Sequence, residues 1–408
     1  MSAASLPPAP PSPCPFAVVA PTPFYSPGGC SARILGEIEG LPATYDRPTV
    51  FTYGTGEDVP GVRTRRVGPK VPGFTGGFHW SRPVLDALVA ETVLAQRPLP
   101  RTLHVHLHEG GLVGRVARKL RGLRYVVDLQ GSLVEEALRY SRREVAERAA
   151  TVLRRVERFA EEGADYLVTS SSTLEQHLRS RLPQLRDRVV CIDDGIPDAS
   201  ILSPAERDHF RSESRADLHD PVHDFVIAYV GTLSPSQGVD SLLRAAPRIV
   251  RSVPNAIFRI YGPSNREFSI ESYTEMAREL GLDSRVRFLG AVPYDRVTRA
   301  LAGADVAVSW KTNPFEANGK VAAYMGAGIP TVAIRSPIVE RYLGSTGEKG
   351  GLVAGDVEEA ADEVIRLAGD PSLRERLGDA ALRAARAELG WSQRSRRILE
   401  LHLKVAAQ

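Results

Sequence analysis

The sequence predicts an α/β protein with two Rossmann-like domains whose parallel sheets face one another across a cleft. Three observations support this prediction: short apolar, β-branched segments alternate with helical patterns, these segments form two series, and a polar stretch separates the series. Continuous apolar segments suit strands that helices cover on both faces, as in a parallel sheet. A length of 408 residues also favours two domains over one core.

The predicted strands follow one another with helical patterns between them. The first series comprises FAVVA (16–20), TVFTYG (49–54), LHVHLH (103–108), RYVVDL (124–129), YLVTS (166–170) and RVVCI (188–192). The second series comprises FVIAYVG (225–231), AIFRIYG (256–262), RVRFLG (285–290), VAVSW (306–310) and PTVAI (330–334). In such open sheets ligands bind at the carboxyl ends of the strands, so we expect the chemistry in the cleft.

The polar composition of two stretches sets the predicted domain boundaries. Residues 1–15 are rich in proline and lack the basic start and apolar core of a secretory signal, so we expect a disordered tail. The first domain is predicted over 16–200 and the second over 225–385, with 201–224 as a linker. A final helical segment covers 386–408.

Composition and charge exclude several classes of protein. A net charge of +3 does not favour a nucleic-acid binder. The three cysteines, Cys14, Cys30 and Cys191, form no CxxC pair, so a disulfide framework or zinc site is not expected and a cytoplasmic location fits best. No run of eighteen apolar residues appears, which argues against a membrane span.

Glycines follow the first strand of each series. Gly28 and Gly29 precede an amphipathic helix, where backbone amides could hold a phosphate or a sugar hydroxyl, although a tight turn would need the same residues. Gly231 and Gly238 repeat the arrangement in the second series. Neither spacing is GxGxxG, so binding of NAD or FAD is not supported and no cofactor is predicted.

Taken in order, these segments resemble the retaining family 4 glycosyltransferases of the GT-B fold. The likeness is carried by the PGG loop (27–29), HVHLHEGG (104–111), VVDLQGSL (126–133), DDGIPD (193–198), YVGTLSPSQGVDSLLRAA (229–246) and GKVAAYMGAGIPTVA (319–333). It implies transfer of a sugar from a UDP- or GDP-sugar, without a metal ion, to a hydroxyl of a sugar, polysaccharide, lipid-linked or small-molecule acceptor. It also implies that the last helix crosses back onto the first domain.

The phosphate-binding positions depart from the family pattern. The resemblance places an arginine and a lysine after the first strand of the second domain, but this chain has Thr232 and Gln237 there. Lys320, at the start of a helix directed at the cleft, could supply the missing charge, and Lys311 is a second candidate. A solvated surface lysine is the alternative for both.

The sugar-binding positions also differ. The family carries two glutamates eight residues apart, and the matching positions here are Phe315 and Ala323. Glu316 and Asn318 could reach the sugar instead, with backbone amides from Ala317 to Gly319. An ordinary helix cap is the alternative for this loop.

A histidine-rich segment is expected at the cleft in the first domain. His104, His106 and His108 occupy alternate positions of one predicted strand and should face the same side. By resemblance, His108 would contact the donor sugar and Glu109 would orient it or the acceptor. Zinc is an alternative ligand for three histidines. Core packing is favoured for His104, and no metal is predicted, because side chains two apart on one strand seldom converge on one ion.

Residues that bind the acceptor are predicted at the end of the next strand. Asp128 and Gln130 end that strand, and Gln130 stands where many relatives have histidine. A basic cluster precedes it, formed by Arg115, Arg118, Lys119, Arg121 and Arg124. The cluster could rest on an anionic membrane at its inner face or bind a phosphate-bearing acceptor, or it could be a solvated helix face.

Two other functions remain open at the level of sequence. The changes at Thr232, Gln237, Phe315 and Ala323 also suit a non-catalytic partner subunit that keeps the cleft. A nucleotide-sugar epimerase would need acid and base carboxylates beside the sugar, for which Glu109 and Glu316 are the candidates. For a transferase, the expected catalytic set is His108, Glu109, Glu316 and Lys320.

Overall fold

A computed structural model of the chain describes residues 11–71, 81–135, 143–221, 223–264, 268–311 and 313–408. It confirms the predicted fold, because two parallel sheets form two α/β domains. Residues 1–10 of the expected tail lie outside the described residues, whereas Ser12 pairs with the chain at Tyr45. Within the described ranges, no helix is both long enough and apolar enough to cross a membrane.

The described residues of the first domain form a seven-stranded parallel sheet. Its strands are β1 (Phe16–Ala20), β2 (Val50–Tyr53), β3 (Thr64–Val67), β4 (Thr102–His106), β5 (Arg124–Leu129), β6 (Tyr166–Thr169) and β7 (Val189–Cys191). They lie in the order β3-β2-β1-β4-β5-β6-β7. Every residue of β1, β2 and β4 is buried, as expected for strands that helices cover on both faces.

The second domain contains a six-stranded parallel sheet in the part that the structure describes. Its strands are β8 (Phe225–Val230), β9 (Ala256–Tyr261), β10 (Val286–Gly290), β11 (Val306–Ser309), β12 (Thr331–Ile334) and β13 (Gly351–Ala354). The order is β10-β9-β8-β11-β12-β13. The strand order reverses direction beside β1 in the first sheet and beside β8 in the second, and such switch points open a crevice for ligands.

Helices cover both sheets. In the first domain they are α1 (Gly29–Glu39), α2 (Arg82–Ala95), α3 (Leu107–Arg121), α4 (Arg143–Glu161) and α5 (Ser172–Arg181). The remaining helices are α6 (Pro204–Asp217), α7 (Val239–Ser252), α8 (Ile270–Glu279), α9 (Val297–Leu301), α10 (Gly319–Gly326), α11 (Pro337–Leu343), α12 (Val357–Gly369), α13 (Pro371–Glu388) and α14 (Trp391–Ala406).

The segment 201–224, expected to be a linker, contains helix α6. A capping box at Ser203 starts this helix, since the Ser203 hydroxyl and the Glu206 carboxylate satisfy each other's backbone amides. Arg211 and Arg215 of α6 pair with Asp305, just before β11. The helix therefore packs on the second domain.

The final helix contacts the first domain, as the family resemblance implied. Trp391, at the start of α14, is buried against Gly36 of α1. Further along α14, Nε2 of His402 lies 3.0 Å from Nδ1 of His104 in β4. Helix α14 thus begins beside the second domain and ends beneath the first sheet.

One predicted strand ends earlier than expected. Strand β4 stops at His106, and Leu107, with a left-handed φ of 64°, begins helix α3. His108 therefore lies in the first turn of a helix, and the prediction that all three histidines face one side of a strand is wrong. In the sequence, histidines continue at alternate positions as far as His108, whereas the backbone changes from strand to helix after His106.

Candidate donor and acceptor site

Lys320 is turned inward at the start of α10. Its Nζ lies 3.0 Å from Oε1 of Gln237 and 4.5 Å from the centre of the Tyr229 ring. Part of the side chain is exposed, but the ammonium group is enclosed, and this burial lowers its pKa well below the ordinary value. The charge of Lys311 lowers that pKa further, whereas Glu316 opposes the shift. An anion beside Lys320 would favour the charged form.

Helix α10 is fixed by a buried tyrosine one turn after Lys320. The hydroxyl of Tyr324 accepts a hydrogen bond from the Val230 amide at 2.9 Å and donates to the Val308 carbonyl at 3.0 Å. It therefore joins the helix to the ends of β8 and β11. The start of α10 is held at the switch point of the second sheet.

Glycine and threonine follow β8 in this part of the site. Gly231 adopts φ 147°, and a side chain there would lie 3.1 Å from Nζ of Lys320. The carbonyl oxygen of Thr232 accepts a hydrogen bond from the Tyr229 hydroxyl at 3.0 Å. Lys320 and the loop after β8 therefore share one small region, as the sequence predicted.

Glu316 lies at the centre of a polar network. Its Oε2 is 2.8 Å from Nζ of Lys311 and 3.1 Å from Nε2 of Gln237. Its Oε1 accepts a hydrogen bond from Asn313 at 2.6 Å. The network extends to Lys320 through Gln237, so the predicted residues Lys311, Glu316, Gln237 and Lys320 lie together.

The first residues of α10 are positioned by the loop before them and by the segment 193–198, which the family resemblance marks as the interdomain hinge. Lys311 donates to the Ala317 carbonyl at 2.5 Å, and the buried Asn318 accepts from Ser309 at 3.0 Å. A methyl group on Gly319 would lie 2.9 Å from Oδ2 of Asp194. A hinge carboxylate therefore faces the amino end of α10, where negative charge is favoured.

Two predicted donor residues do not join the network. The Phe315 ring packs on the apolar core of the first domain and lies edge-on to His177, 5.6 Å between ring centres. The Phe315 carbonyl accepts from the Ser171 hydroxyl at 2.8 Å, so this residue joins the domains. Ala323 is buried in the core of the second domain and brings no polar group to the site.

The glycine loop of the first domain borders open space. Gly28 is the N-cap of α1, and Gly29 is its first residue. A methyl group added at either position would meet no other atom within 4 Å in the described part of the chain. Packing against the described residues therefore does not require glycine here, and the loop is open to a ligand.

Glu109 lies in an acidic network beside this loop. Its carboxylate is 3.2 Å from Nη2 of Arg82, which also donates to the Pro21 carbonyl at 3.1 Å. Nearby, the Tyr53 hydroxyl donates to Asp86 at 2.5 Å. Burial, with a contribution from Glu109, raises the pKa of Asp86 to about 6, although the Tyr53 bond opposes the rise. A carboxyl with such a pKa is suited to proton transfer near neutral pH.

Asp128 does not face the cleft as an acceptor ligand. Its carboxylate is fully buried and receives two hydrogen bonds from Arg33, at 2.9 and 2.6 Å. Burial raises its pKa, but the Arg33 charge outweighs that effect and holds the pKa far below the ordinary value. Gln130 is half-buried, and its Nε2 has no hydrogen-bond partner among the described residues. The role of Gln130 toward an acceptor stays a prediction, whereas Asp128 is already bound by Arg33.

His108 is buried against two carboxylates of α4. Its Nε2 lies 3.2 Å from Glu161 and 3.9 Å from Glu157. Burial alone would lower its pKa, but the hydrogen bond and charge of Glu161 reverse the effect and raise it. Arg181 pairs with both glutamates. His108 is thus enclosed at 4% exposure, and the expected direct contact with a donor sugar is not available in this arrangement.

Arg33 and Arg82 were not anticipated from the sequence. Arg33 joins Asp128 to the hinge residue Asp194, with Nη1 to Oδ1 at 2.9 Å. Arg33 lies within α1 and Arg82 begins α2, and isolated arginines in helices carry no sequence signal of their own.

The basic cluster of α3 is partly neutralised. Arg118 and Arg124 lie 3.1 and 3.7 Å from Asp165. Arg115 and Lys119 lie over the Phe159 ring at 5.2 Å each. Leu120, which follows Lys119, is 66% exposed.

Comparison with known proteins identifies the family. Residues 28–194 match the glycosyl transferase 4-like domain, and residues 210–384 match the glycosyl transferases group 1 family. The chain is a family 4 glycosyltransferase. A relative from Thermomonospora curvata, named D-inositol 3-phosphate glycosyltransferase, is 30% identical over 310 residues, which cover 74% of this chain and 70% of the relative.

Solved structures confirm the GT-B fold of this glycosyltransferase. Sucrose-phosphate synthase from Thermosynechococcus elongatus has a TM-score of 0.78 at 18% identity, with 97% of this chain and 99% of that chain covered. HepE of Anabaena, solved in complex with UDP-glucose, has a TM-score of 0.72 at 18% identity, with 96% and 99% covered. The predicted family, fold and transferase class are therefore confirmed.

Proposed function

We propose that this glycosyltransferase moves a sugar from a UDP- or GDP-sugar to an acceptor hydroxyl, with retention of anomeric configuration and without a catalytic metal ion. The position of Lys320 carries this proposal. Its ammonium group points at the loop after β8, the part of the second domain where the family binds phosphate, and lies 3.0 Å from Gln237. One cation would thus supply charge where the family's arginine and lysine are missing.

The donor would lie along the second domain. Lys320 and the backbone around Gly231 would hold the diphosphate, and the Gln237 amide would add a neutral donor. Glu316, already beside Lys311 at 2.8 Å, would accept hydrogen bonds from the sugar. Because Ala323 offers no carboxylate to the ribose, backbone groups would make most nucleoside contacts.

The chemistry would follow from this arrangement. The bond between the anomeric carbon and the phosphate oxygen breaks while the acceptor oxygen bonds to the same face of that carbon. The acceptor proton passes to an oxygen of the departing diphosphate. Lys320 stabilises the charge that develops on the diphosphate, so the protein supplies orientation and electrostatic stabilisation.

The acceptor would enter from the first domain. Glu109 and the half-buried Gln130 would orient the hydroxyl. Arg82, 3.2 Å from Glu109, adds a cation to this side. A phosphorylated cyclitol is a suitable acceptor class, because the relative from Thermomonospora curvata is named for D-inositol 3-phosphate.

Titration calorimetry with UDP, GDP, ADP and TDP tests the donor proposal first. We expect one of the four to bind tightly and the others weakly. Turnover of the matching sugar nucleotide with D-inositol 3-phosphate, without added Mg²⁺ or Mn²⁺, then tests transfer, and the NMR coupling of the anomeric proton reports retention. Absence of binding by all four nucleotides would instead favour a partner subunit.

A further inference from the structure

Four buried polar side chains meet beneath helix α14, away from the donor network. They are Glu37 of α1, His104 and His106 of β4, and Asp128 of β5, and their exposures are 5%, 1%, 0% and 0%. One candidate ligand atom from each lies within 4.8 Å of the others. This arrangement brings two imidazoles and two carboxylates into one enclosed volume.

His106 has no hydrogen-bond partner for either ring nitrogen among the described residues. Its Nε2 lies 3.5 Å from Oε2 of Glu37, and its Nδ1 lies 3.7 Å from Oδ1 of Asp128. A fully buried imidazole without partners is costly, at about 1–3 kcal/mol. Both nitrogens are aimed at carboxylates, so a cation bound at Nε2, beside Glu37, would give the ring a partner.

We propose that Glu37, His104 and His106 bind a divalent metal ion of the zinc class. Oε2 of Glu37 lies 3.1 Å from Nε2 of His104 and 3.5 Å from Nε2 of His106. With bonds of roughly 2.0–2.1 Å, ligand atoms in a tetrahedral zinc site are about 3.4 Å apart. The two distances lie on either side of that value. Two imidazoles and one carboxylate are a known ligand set for zinc.

The charges around the site also favour a dication. Arg33 is the cation nearest to three carboxylates, with contacts of 3.0 Å to Glu37, 2.6 Å to Asp128 and 2.9 Å to Asp194. One guanidinium cannot neutralise three buried or half-buried carboxylates, and uncompensated buried charge is strongly unfavourable. A divalent ion on Glu37 would offset the surplus.

The surrounding groups can orient both imidazoles for metal binding. With the metal on Nε2 of His106, its Nδ1 proton faces Asp128, which resembles the carboxylate–histidine–zinc arrangement. With the metal on Nε2 of His104, its Nδ1 proton is donated to Nε2 of His402 at 3.0 Å. His402 then donates from Nδ1 to the Thr102 hydroxyl at 2.7 Å.

The same hydrogen-bond chain could run in the opposite direction without a metal. The Thr102 hydroxyl would donate to His402, His402 to His104, and His104 to Glu37, all within 3.1 Å. That direction satisfies His104 but leaves both nitrogens of His106 unbonded. The metal-bound arrangement gives His106 a ligand role as well, which is why we favour it.

The proposed ion would have a structural role. It would connect α1 to β4 and, through His402, anchor α14 to the first domain. Because the ligands are buried and the donor network lies in the second domain, the ion would take no part in sugar transfer. The proposal is therefore independent of the proposed function.

Metal content of the full-length protein tests the site directly. We expect about one zinc per chain by mass spectrometry of protein reconstituted with Zn²⁺ and passed through a desalting column. Removal of zinc with dipicolinate should lower Tm by at least about 3 °C, and Zn²⁺ but not Mg²⁺ should restore it.

Single substitutions separate this site from adventitious binding. His106→Asn and His104→Asn should each lose the zinc, whereas His209→Asn, which removes an exposed histidine of α6, should retain it. Zinc content below about 0.1 per chain in the reconstituted wild-type protein, with Tm unaffected by Zn²⁺, would overturn the proposal. The buried carboxylates would then be balanced by a proton on the histidines instead of a metal ion. Retention of zinc by both site variants would overturn it as well.

Discussion

Nζ of Lys320 lies 3.0 Å from the side-chain oxygen of Gln237, although these residues are separated by 83 positions in the chain. Gln237 stands where the family resemblance places a cation, and Lys320 approaches the same place from helix α10. Under the proposed function, this contact would let one lysine supply a charge that the loop after β8 lacks. It also gives the enclosed ammonium group a neutral partner that a phosphate could displace.

Lys320→Met should weaken UDP binding far more than uridine binding. A hydrogen bond to a charged group contributes about 1.5–3 kcal/mol, so the Kd for UDP should rise about 10- to 100-fold. Uridine, which has no phosphate, should bind almost as before. Calorimetry with both ligands measures the difference.

Lys349→Met provides the matched control, because Lys349 pairs with Glu388 on the surface, at 2.6 Å. This variant should bind UDP as the wild type does. Equal losses of UDP and uridine in Lys320→Met would show that Lys320 does not contact phosphate.

The strand pattern of the sequence was informative because buried parallel strands are continuously apolar. It located β1 and β5 to the residue. It missed β3 and β13, which have only four residues each. The former carries two arginines, and the latter has only three apolar residues after a glycine, so both patterns are weak. Pattern alone cannot detect strands that neighbouring chain segments recruit to a sheet edge.

Stability conferred by His108 should depend on pH. Its pKa in the folded protein is raised above the ordinary value because Glu161 outweighs burial. The stabilisation is therefore complete below the unfolded-state pKa, about 6.5, and is lost as pH rises through the higher folded-state pKa. The Tm difference between wild type and His108→Gln should be largest near pH 6 and shrink by pH 9.

Glu161→Gln serves as the comparison for this test, because it removes the carboxylate 3.2 Å from His108. In that background, His108→Gln should show a Tm difference that varies little between pH 6 and 9. A difference that grows with pH in the wild-type background would contradict the assignment.

Gly36→Ala should destabilise the junction between α1 and α14. A methyl group at this position would overlap the indole of Trp391, which is buried at 1% exposure. Overpacking of this kind costs about 1–3 kcal/mol. Gly369→Ala is the control, since a methyl group there meets no described atom within 4 Å. Thermal unfolding should show a lower Tm for Gly36→Ala alone.

The site was less predictable than the fold because its contacts cross long stretches of sequence. Lys320, Glu316 and Lys311 could be nominated from one loop. Phe315 could not be assigned correctly, since its partners Ser171 and His177 lie in the other domain. Asp128 was likewise predicted to be a strand-end ligand for the acceptor. The structure shows that its carboxylate binds Arg33, which lies 95 residues away in the chain.

Contact with an anionic membrane is a further prediction. The exposed Leu120 is flanked by Lys119 and Arg121, a combination that suits a lipid surface. The protein should sediment with phosphatidylglycerol vesicles, and reversal of both charges by Lys119→Glu and Arg121→Glu should reduce the bound fraction. Arg366→Glu, a reversal on the second domain, should leave it unchanged. Equal sedimentation with phosphatidylcholine vesicles would exclude an electrostatic contribution.

Gly28→Ala should separate ligand binding from folding. The backbone at Gly28 is extended, with φ 161°, and a methyl group there contacts no described atom within 4 Å, so Tm should fall by only a few degrees, the cost of alanine at an N-cap. The methyl group would, however, project into the space that a donor or acceptor must enter beside α1. We therefore expect a several-fold rise in the KM for the donor or the acceptor with only a small change in Tm. Gly36→Ala, in contrast, should lower Tm through its effect on packing. An unchanged KM would mean that the substrates do not approach this loop.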